Sequence, residues 1–297
     1  MPSRSSIFAS RLINSASSSL ANCKLDGPSR RLLKARHHGM EKMEIQTNTL
    51  TAVLHCETIR FTIYKLQIRS IASVTEGGEW TLMKRYSEFF YFRQTLLKLL
   101  KKWNLQFRSE SERLRCKELA IASALLLPAL ELPAFPRKHM RCDTAAIIKE
   151  RRTKLQQFVR KMLDAYSDIS IFLYNVQSLN TCAFVNLKEI LEVLEDFMIV
   201  PPQQKEINRR LTSAVLALED VDRHAVKFQT STCCICLCGE SDTNEWEVFA
   251  DRMVKLPCSH QFHEDCVINW FSTSTTCPLC RKPAFKDEHR SFDVSIN

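Results

Sequence analysis

Apolar and polar residues alternate along the stretch from Leu50 to Ile71. Tyr64, Leu66 and Ile68 are interleaved with Lys65, Gln67 and Arg69. A period of two is what a half-buried strand requires, so this stretch predicts a strand pair. Gly77-Gly78 supplies a turn, and a third strand, EWTLMKR, runs from Glu79 to Arg85. The period then lengthens: Phe89, Phe92, Leu96, Leu99 and Trp103 recur at spacings of three and four, the stripe of an amphipathic helix, with Ser87 as its N-cap. Residues 104 to 131 read as a mixed, partly helical insertion. Leu132-Pro133-Ala134-Phe135-Pro136 reads as extended, since each proline restricts itself and its predecessor. Two further helices carry Ile148, Leu155, Phe158, Met162 and Leu163, and then Leu187, Ile190, Leu191, Leu194 and Phe197. Pro201-Pro202 marks a boundary. Beyond it Ile207, Leu211, Val215 and Leu218 form a short stripe, suited to a partner helix or, more ordinarily, to packing on its own domain.

The longest apolar run, Leu119 to Leu130, is interrupted by Pro128 and falls short of the roughly 20 residues a membrane-spanning helix needs. A soluble or peripheral protein is expected. With 297 residues, 45% of them hydrophobic, the chain has room for two domains. A formal charge of +9, from 42 basic against 33 acidic side chains, favours an anionic partner without choosing between membrane and nucleic acid. Nucleic-acid binding calls for basic residues interleaved with exposed aromatics. The segment from Gly239 to Asp251 instead carries Glu240, Asp242, Glu245, Glu247 and Asp251, so no nucleic-acid partner is expected.

Residues 1 to 25 hold eight serines, Arg4, Arg11 and Lys24, and no acid. Mitochondrial transit peptides share that composition, but the ordinary reading, a disordered basic tail over residues 1–43, is preferred.

Eight of the thirteen cysteines lie between Cys233 and Cys280, and the other five are scattered, which points to a reducing compartment and local metal binding. The candidate ligands are Cys233-x2-Cys236, Cys258-x-His260-x2-His263-x2-Cys266 and Cys277-x2-Cys280. Eight sulfur and imidazole donors fill two closed tetrahedral zinc sites and leave no position for a catalytic water. Cys234 and Cys238 do not fit the pattern and read as bystanders.

Ligand order and spacing, with the contexts Leu256-Pro257-Cys258 and Cys277-Pro278-Leu279-Cys280, resemble the RING finger of the type with two central histidines (RING-H2). That resemblance implies interleaved sites: Cys233, Cys236, His263 and Cys266 on one zinc, and Cys258, His260, Cys277 and Cys280 on the other. It also implies a ubiquitin ligase that binds a ubiquitin-charged conjugating enzyme and orients its thioester without covalent chemistry. At matching positions Ile235, Trp270 and Pro278 resemble the enzyme-contact surface. Arg281 resembles the residue that bridges enzyme and ubiquitin.

The segment Lys84-Arg85-Tyr86-Ser87-Glu88-Phe89, closing a strand and opening a helix, resembles the PX domain, the phosphoinositide-binding module of sorting nexins. Pro136-Arg137-Lys138, a helix with Arg151 four residues before Leu155, and closing amphipathic helices follow in the family's order. By that resemblance Arg85 holds a 3-phosphate and Tyr86 lies against the inositol ring. Lys138 meets the bridging phosphate and Arg151 bonds ring hydroxyls. The insertion from Trp103 to Leu132 is longer than usual, and the loop His139-Met140-Arg141-Cys142 offers only Met140 as an apolar wedge.

The expected architecture is therefore α+β. A PX-like domain over residues 44–199, with a three-stranded antiparallel sheet and a helical subdomain, is followed by a helical linker over 200–228, a small cross-braced RING over 229–285 and a tail over 286–297. The expected function is a ligase recruited from the cytoplasm to endosomal membranes bearing phosphatidylinositol 3-phosphate. The rival is a lipid-binding trafficking adaptor whose RING serves only for interaction.

Overall fold

A computed structural model describes residues 27–54, 59–70, 79–139, 143–176, 182–221, 233–237 and 252–285. The segment before residue 27, the Gly77-Gly78 turn, Met140, Cys238, the acidic stretch from Gly239 to Asp251 and the tail from residue 286 lie outside them. The described chain divides into two compact units, one containing Met43–Ser70 and Gly78–Pro201, the other Gly27–Lys42 and Pro202–Asn297. The first is thus an insertion in the sequence of the second.

In the first unit, strands β1 (Met43–Leu54), β2 (Ile59–Ser70) and β3 (Glu79–Arg85) form an antiparallel sheet in that order. Tyr64, Leu66 and Ile68 are buried on the central strand, where Leu66 faces Leu82 and Ile68 faces Trp80. Strand β1 starts seven residues before the expected Leu50. Its early positions carry Glu44, Gln46, Thr47 and Asn48, so pairing with β2 rather than its own composition makes it a strand.

Helix α2 (Tyr86–Asn104) buries Phe89, Phe92, Leu96, Leu100 and Trp103. Leu100, not Leu99, completes the stripe. Ser87 lies inside the first turn. The cap is Arg85, whose backbone N–H donates to the Glu88 carboxylate at 2.8 Å. The insertion folds as α3 (Glu110–Arg115), capped by the Ser109 hydroxyl, and α4 (Lys117–Leu130). The proline segment is a turn rather than extended: the Leu132-Pro133 bond is cis and the Phe135 N–H donates to the Glu131 carbonyl. That turn buries Phe135 edge-on to Phe158, 5.1 Å between centroids.

The 32-residue α5 (Ala145–Val176) buries Leu155, Phe158, Met162 and Leu163, and the Gln156 amide donates to the Ile45 carbonyl of β1 at 2.8 Å. Helix α6 (Cys182–Met198) closes the unit. Phe197 stacks on Phe92 at 3.8 Å, and the Trp80 indole donates to the Met198 carbonyl at 3.1 Å.

The second unit draws on both ends of the chain. Helix α1 (Gly27–Glu41) packs on α7 (Pro202–Leu216) and on α8 (Glu264–Phe271). A small antiparallel sheet joins β4 (Glu219–Asp220), β5 (Met253–Lys255) and β6 (Gln261–His263).

Helix α1 corrects the expected tail, which fails for residues 27–41. The helix opens on Gly27-Pro28, and its Leu32, Ala35 and Met40 are buried. Arg31, 2% exposed, donates to Glu264 at 2.9 Å and to the Leu218 carbonyl at 3.0 Å, and pairs with Asp220. Its partners lie some 190 residues or more away in sequence, where local composition cannot reveal them. The stripe after Pro202 packs within its own unit: Val215 and Leu218 are buried. No helix among the described residues is long and apolar enough to cross a membrane.

Candidate functional sites

The cysteine pairs shape their own loops. In Cys233-x2-Cys236 the Leu237 N–H donates to the Cys233 carbonyl at 2.7 Å. In Cys277-x2-Cys280 the Arg281 N–H donates to the Cys277 carbonyl at 2.9 Å. Each knuckle ends in a left-handed residue, Leu237 at φ 61° and Arg281 at φ 58°, and Ser259, between Cys258 and His260, sits at φ 69°. Such conformations cost a non-glycine residue on the order of 1–3 kcal/mol and persist only where the surroundings hold them. Turning each knuckle this way brings its two sulfurs to one side.

The result is two clusters, Cys233, Cys236, His263 and Cys266, and Cys258, His260, Cys277 and Cys280. Within each, the ligand atoms lie within 4.8 Å of one another. The first draws on the Cys233 knuckle and the start of α8. The second draws on the Cys258 loop and the Cys277 knuckle, so the two interleave along the chain. Both histidines face their cluster through Nδ1: His263 at 3.2 Å from Cys236 Sγ and 3.9 Å from Cys266 Sγ, His260 at 3.3 Å from Cys258 Sγ and 3.5 Å from Cys277 Sγ.

Donors bound tetrahedrally to one zinc at about 2.3 Å for sulfur and about 2.0 Å for nitrogen lie about 3.5–3.8 Å apart, a range that the observed 3.2–3.9 Å brackets. The electrostatics fit as well. Burial and neighbouring thiols push Cys266 up to about 12. Burial pushes Cys277 up to about 11, although backbone bonds from Cys280 and Leu279 oppose it. Crowded thiolates repel, and a dication relieves that repulsion and deprotonates the thiols. Cys280 is drawn down to about 7, chiefly by the Lys282 backbone bond. The two clusters fit two zinc ions in closed, structural sites.

Around them, Ile235 is half-exposed inside the first knuckle and Pro278 half-exposed inside the second. Half-buried Trp270 donates its indole N–H to the Thr276 carbonyl at 2.8 Å, and exposed Arg281 ends the second knuckle. Trp270, Pro278 and Arg281 thus gather at the second knuckle, with Ile235 on the first. Sequence reasoning missed two exposed apolar residues, Leu237 (76% exposed) and Leu279 (53% exposed). Their place within the knuckles was the available signal.

A second constellation lies in the first unit where α2 and α5 begin. A pocket of about 200 Å³ is lined by Tyr86, Phe90, Lys138, His139, Asp143 and Arg151, among others. The Tyr86 hydroxyl donates to the Pro136 carbonyl at 2.9 Å, which ties the proline turn to α2. The Arg151 guanidinium, 4% exposed, lies 3.8 Å over the Tyr86 ring, and Lys138 Nζ lies 5.4 Å over the Phe90 ring. Burial pushes the Tyr86 phenol up, with the Arg151 charge pulling the other way.

Three of the four expected lipid residues therefore meet. Arg85 is not among the pocket-lining residues; it is exposed, with its guanidinium 3.5 Å over the Phe61 ring. One face of the Tyr86 ring carries Arg151. Sequence reasoning also missed Asp143, which pairs with Arg151 at 2.5 Å, because an acid just ahead of a helix reads as ordinary capping chemistry.

Comparison with known families matches residues 231–281 to the ring finger domain and residues 72–167 to the PX domain. The chain carries a PX domain followed by a RING-H2 finger. Among curated proteins, it is similar to the E3 ubiquitin-protein ligase Iruka of Drosophila melanogaster, 30% identical over 98 residues, 32% of this chain and 22% of that one. It is also similar to the E3 ubiquitin-protein ligase AIP2 of Arabidopsis thaliana, 30% identical over 90 residues, 30% of this chain and 26% of the other. With the E3 ubiquitin-protein ligase RLIM of Mus musculus it shares 28% over 106 residues, 34% of this chain and 16% of that protein. The chain thus spans about a quarter or less of the length of these relatives. No solved structure matches it.

Among the described residues of the RING finger, four donors close each cluster, with half-exposed Ile235, Trp270 and Pro278 and exposed Arg281 around them. What it offers is a rigid surface. The PX domain offers a small pocket with two cations, an aromatic wall and one acid.

Proposed function

We propose that the chain is a RING-type ubiquitin ligase brought to phosphoinositide-bearing membranes by its PX domain. The observation that carries the ligase half is the pair of interleaved four-donor clusters, which fix two knuckles and leave Ile235, Trp270, Pro278 and Arg281 at the surface. In this reading Ile235, Trp270 and Pro278 contact a conjugating enzyme charged with ubiquitin, and Arg281 bridges that enzyme and ubiquitin. Arginine suits the bridge because its planar fork offers several donors at once. The transfer itself goes from the enzyme's thioester to a substrate lysine. The RING lowers the barrier by orientation, holding the thioester where a lysine amine can attack.

The membrane half rests on Tyr86, Lys138 and Arg151 meeting in one pocket. There Lys138 and Arg151 would receive a phosphorylated inositol, with Arg85 reaching the 3-phosphate from its seat on Phe61. Phosphatidylinositol 3-phosphate and the cytoplasmic face of endosomes are the ligand and place this reading assigns.

The test is discharge of ubiquitin from a panel of charged conjugating enzymes by the full chain. Wild type should accelerate discharge with at least one of them. Ile235→Ala should lose most of that acceleration while keeping two zinc ions by elemental analysis. Wild type without effect on any enzyme of a broad panel would leave the PX adaptor as the better reading.

A further inference from the structure

The PX pocket holds an anion of its own. Asp143 Oδ1 accepts from Arg151 Nη1 at 2.5 Å, and the two side chains are 26% and 4% exposed, so the carboxylate is the solvent-facing member of the pair. Lys138 is the other cation among the lining residues. Lys138 and Arg151 less the Asp143 carboxylate leave a single net positive charge to meet a phosphate that carries about two negative charges near neutral pH.

We propose that Asp143 is a built-in counter-anion that competes with the phosphorylated headgroup for Arg151 and so limits the affinity of the pocket. The inference rests on the lipid-binding reading given above. The opposing role, a clamp that orients Arg151 for its ligand, fits the geometry less well. Arg151 is already held by burial on α5 and by the Tyr86 ring beneath it. Asp143 is anchored separately, one residue before Thr144. The Thr144 carbonyl and hydroxyl accept the N–H groups of Ile148 at 2.9 Å and Ile147 at 3.4 Å. Removing the carboxylate therefore leaves Arg151 in place with one Nη donor released toward the pocket.

The two roles predict opposite signs. Vesicles containing phosphatidylinositol 3-phosphate, and vesicles matched in charge with phosphatidylserine, are titrated with the full chain as wild type, Asp143→Asn, Arg151→Met and the double variant. Thermal melting checks that each is folded. On the 3-phosphate vesicles Asp143→Asn should bind about tenfold tighter than wild type, the gain of one charge-assisted contact from the released Arg151 donor. On phosphatidylserine it should gain only the smaller amount of one charge near an anionic surface, and in the Arg151→Met background it should gain no more than that on either lipid. Soluble inositol 1,3-bisphosphate should release the bound protein at concentrations where inorganic phosphate does not.

Weaker binding by Asp143→Asn would make Asp143 a clamp and overturn the proposal. So would an equal gain on both lipids, a gain on the 3-phosphate lipid that Arg151→Met leaves undiminished, or equal competition by inorganic phosphate. If Arg151→Met fails to fold, the comparison of the two lipids with Asp143→Asn alone still decides. Wild type that binds the 3-phosphate lipid with no gain in Asp143→Asn defeats this inference alone. Failure of both proteins to bind defeats the lipid reading along with it.

Discussion

Arg281 ends the second knuckle with φ at 58°, so its backbone and its side chain have separable jobs. Glycine adopts that conformation without cost, whereas alanine keeps the strain. If the guanidinium bridges enzyme and ubiquitin, Arg281→Gly and Arg281→Ala should both lose about tenfold or more in ubiquitin discharge, a lost charge-assisted contact of about 1.5–3 kcal/mol. Zinc content should stay at two per chain in both. Full activity in Arg281→Gly would assign the position a backbone role only. In the PX domain, Arg85→Ala should lose more binding than Lys101→Ala on 3-phosphate vesicles and no more than it on phosphatidylserine, measured at matched salt. Equal losses on both lipids would reject a specific contact by Arg85. The zinc donors were legible from sequence because a tetrahedral ion imposes its spacing on the chain. Asp143 was not, because its partner Arg151 lies eight residues away and nothing in either neighbourhood marks them as a pair. The position of Arg85 was likewise invisible, since the Phe61 ring that holds it comes from another strand.

Among the elements, α1 carries the largest consequence. Arg31 and Glu264 are 2% and 3% exposed, and Glu264 is shared with Arg30 at 3.3 Å and Lys34 at 3.2 Å. Glu264 lies between the donors His263 and Cys266, so α1 is tied to the element that presents two ligands of the first cluster. Burial works to raise the Glu264 carboxyl, but its bonds to Arg31 and Lys34 and the nearby Arg30 charge outweigh it and hold the group below the usual carboxylate range. Breaking a buried pair by removing one partner costs about 3–5 kcal/mol. Arg30 and Lys34 still meet Glu264 after Arg31→Met. This change should therefore lower the unfolding free energy of the RING-containing unit by less, about 1.5–3 kcal/mol for the lost charge-assisted hydrogen bonds, read by denaturant titration of the full chain, while phosphoinositide binding is unchanged. A loss below about 1 kcal/mol would show that α1 is not part of that unit's stability. The amphipathic helices and β2 could be read from periodicity because each buries one face against near neighbours. Helix α1 and strand β4 could not, because their partners come from the opposite end of the chain or from three-residue strands. The proline turn was misread because restriction at each proline says how its own dihedrals behave and not where Phe135 must go to reach Phe158.

At the scale of the whole molecule, the PX domain interrupts the sequence of the unit that holds the RING finger, so both of its ends continue into that unit. Chelation should therefore act on one unit. The metal supplies folding free energy where the ligands are, and removing it should unfold the RING-containing unit, α1 and α7 included, while the three-stranded sheet unit keeps its fold. Hydrogen exchange with and without chelator reads this directly: protection should fall in residues 27–41, 202–216 and 252–285 and persist in 59–70 and 86–104. Uniform loss would mean that the two units fold as one. The central claim is that one chain joins ubiquitin transfer to phosphoinositide recognition, and confinement on a surface raises the effective concentration of ligase and membrane-bound substrate. The most direct measurement reconstitutes activating enzyme, an active conjugating enzyme, ubiquitin and the full chain with vesicles displaying a lysine-bearing acceptor. The rate of acceptor modification is then followed with and without phosphatidylinositol 3-phosphate in the bilayer. The account predicts modification at least tenfold faster with the lipid, and loss of that gain in Lys138→Ala. No modification with any vesicle, or the same rate on both, would contradict it.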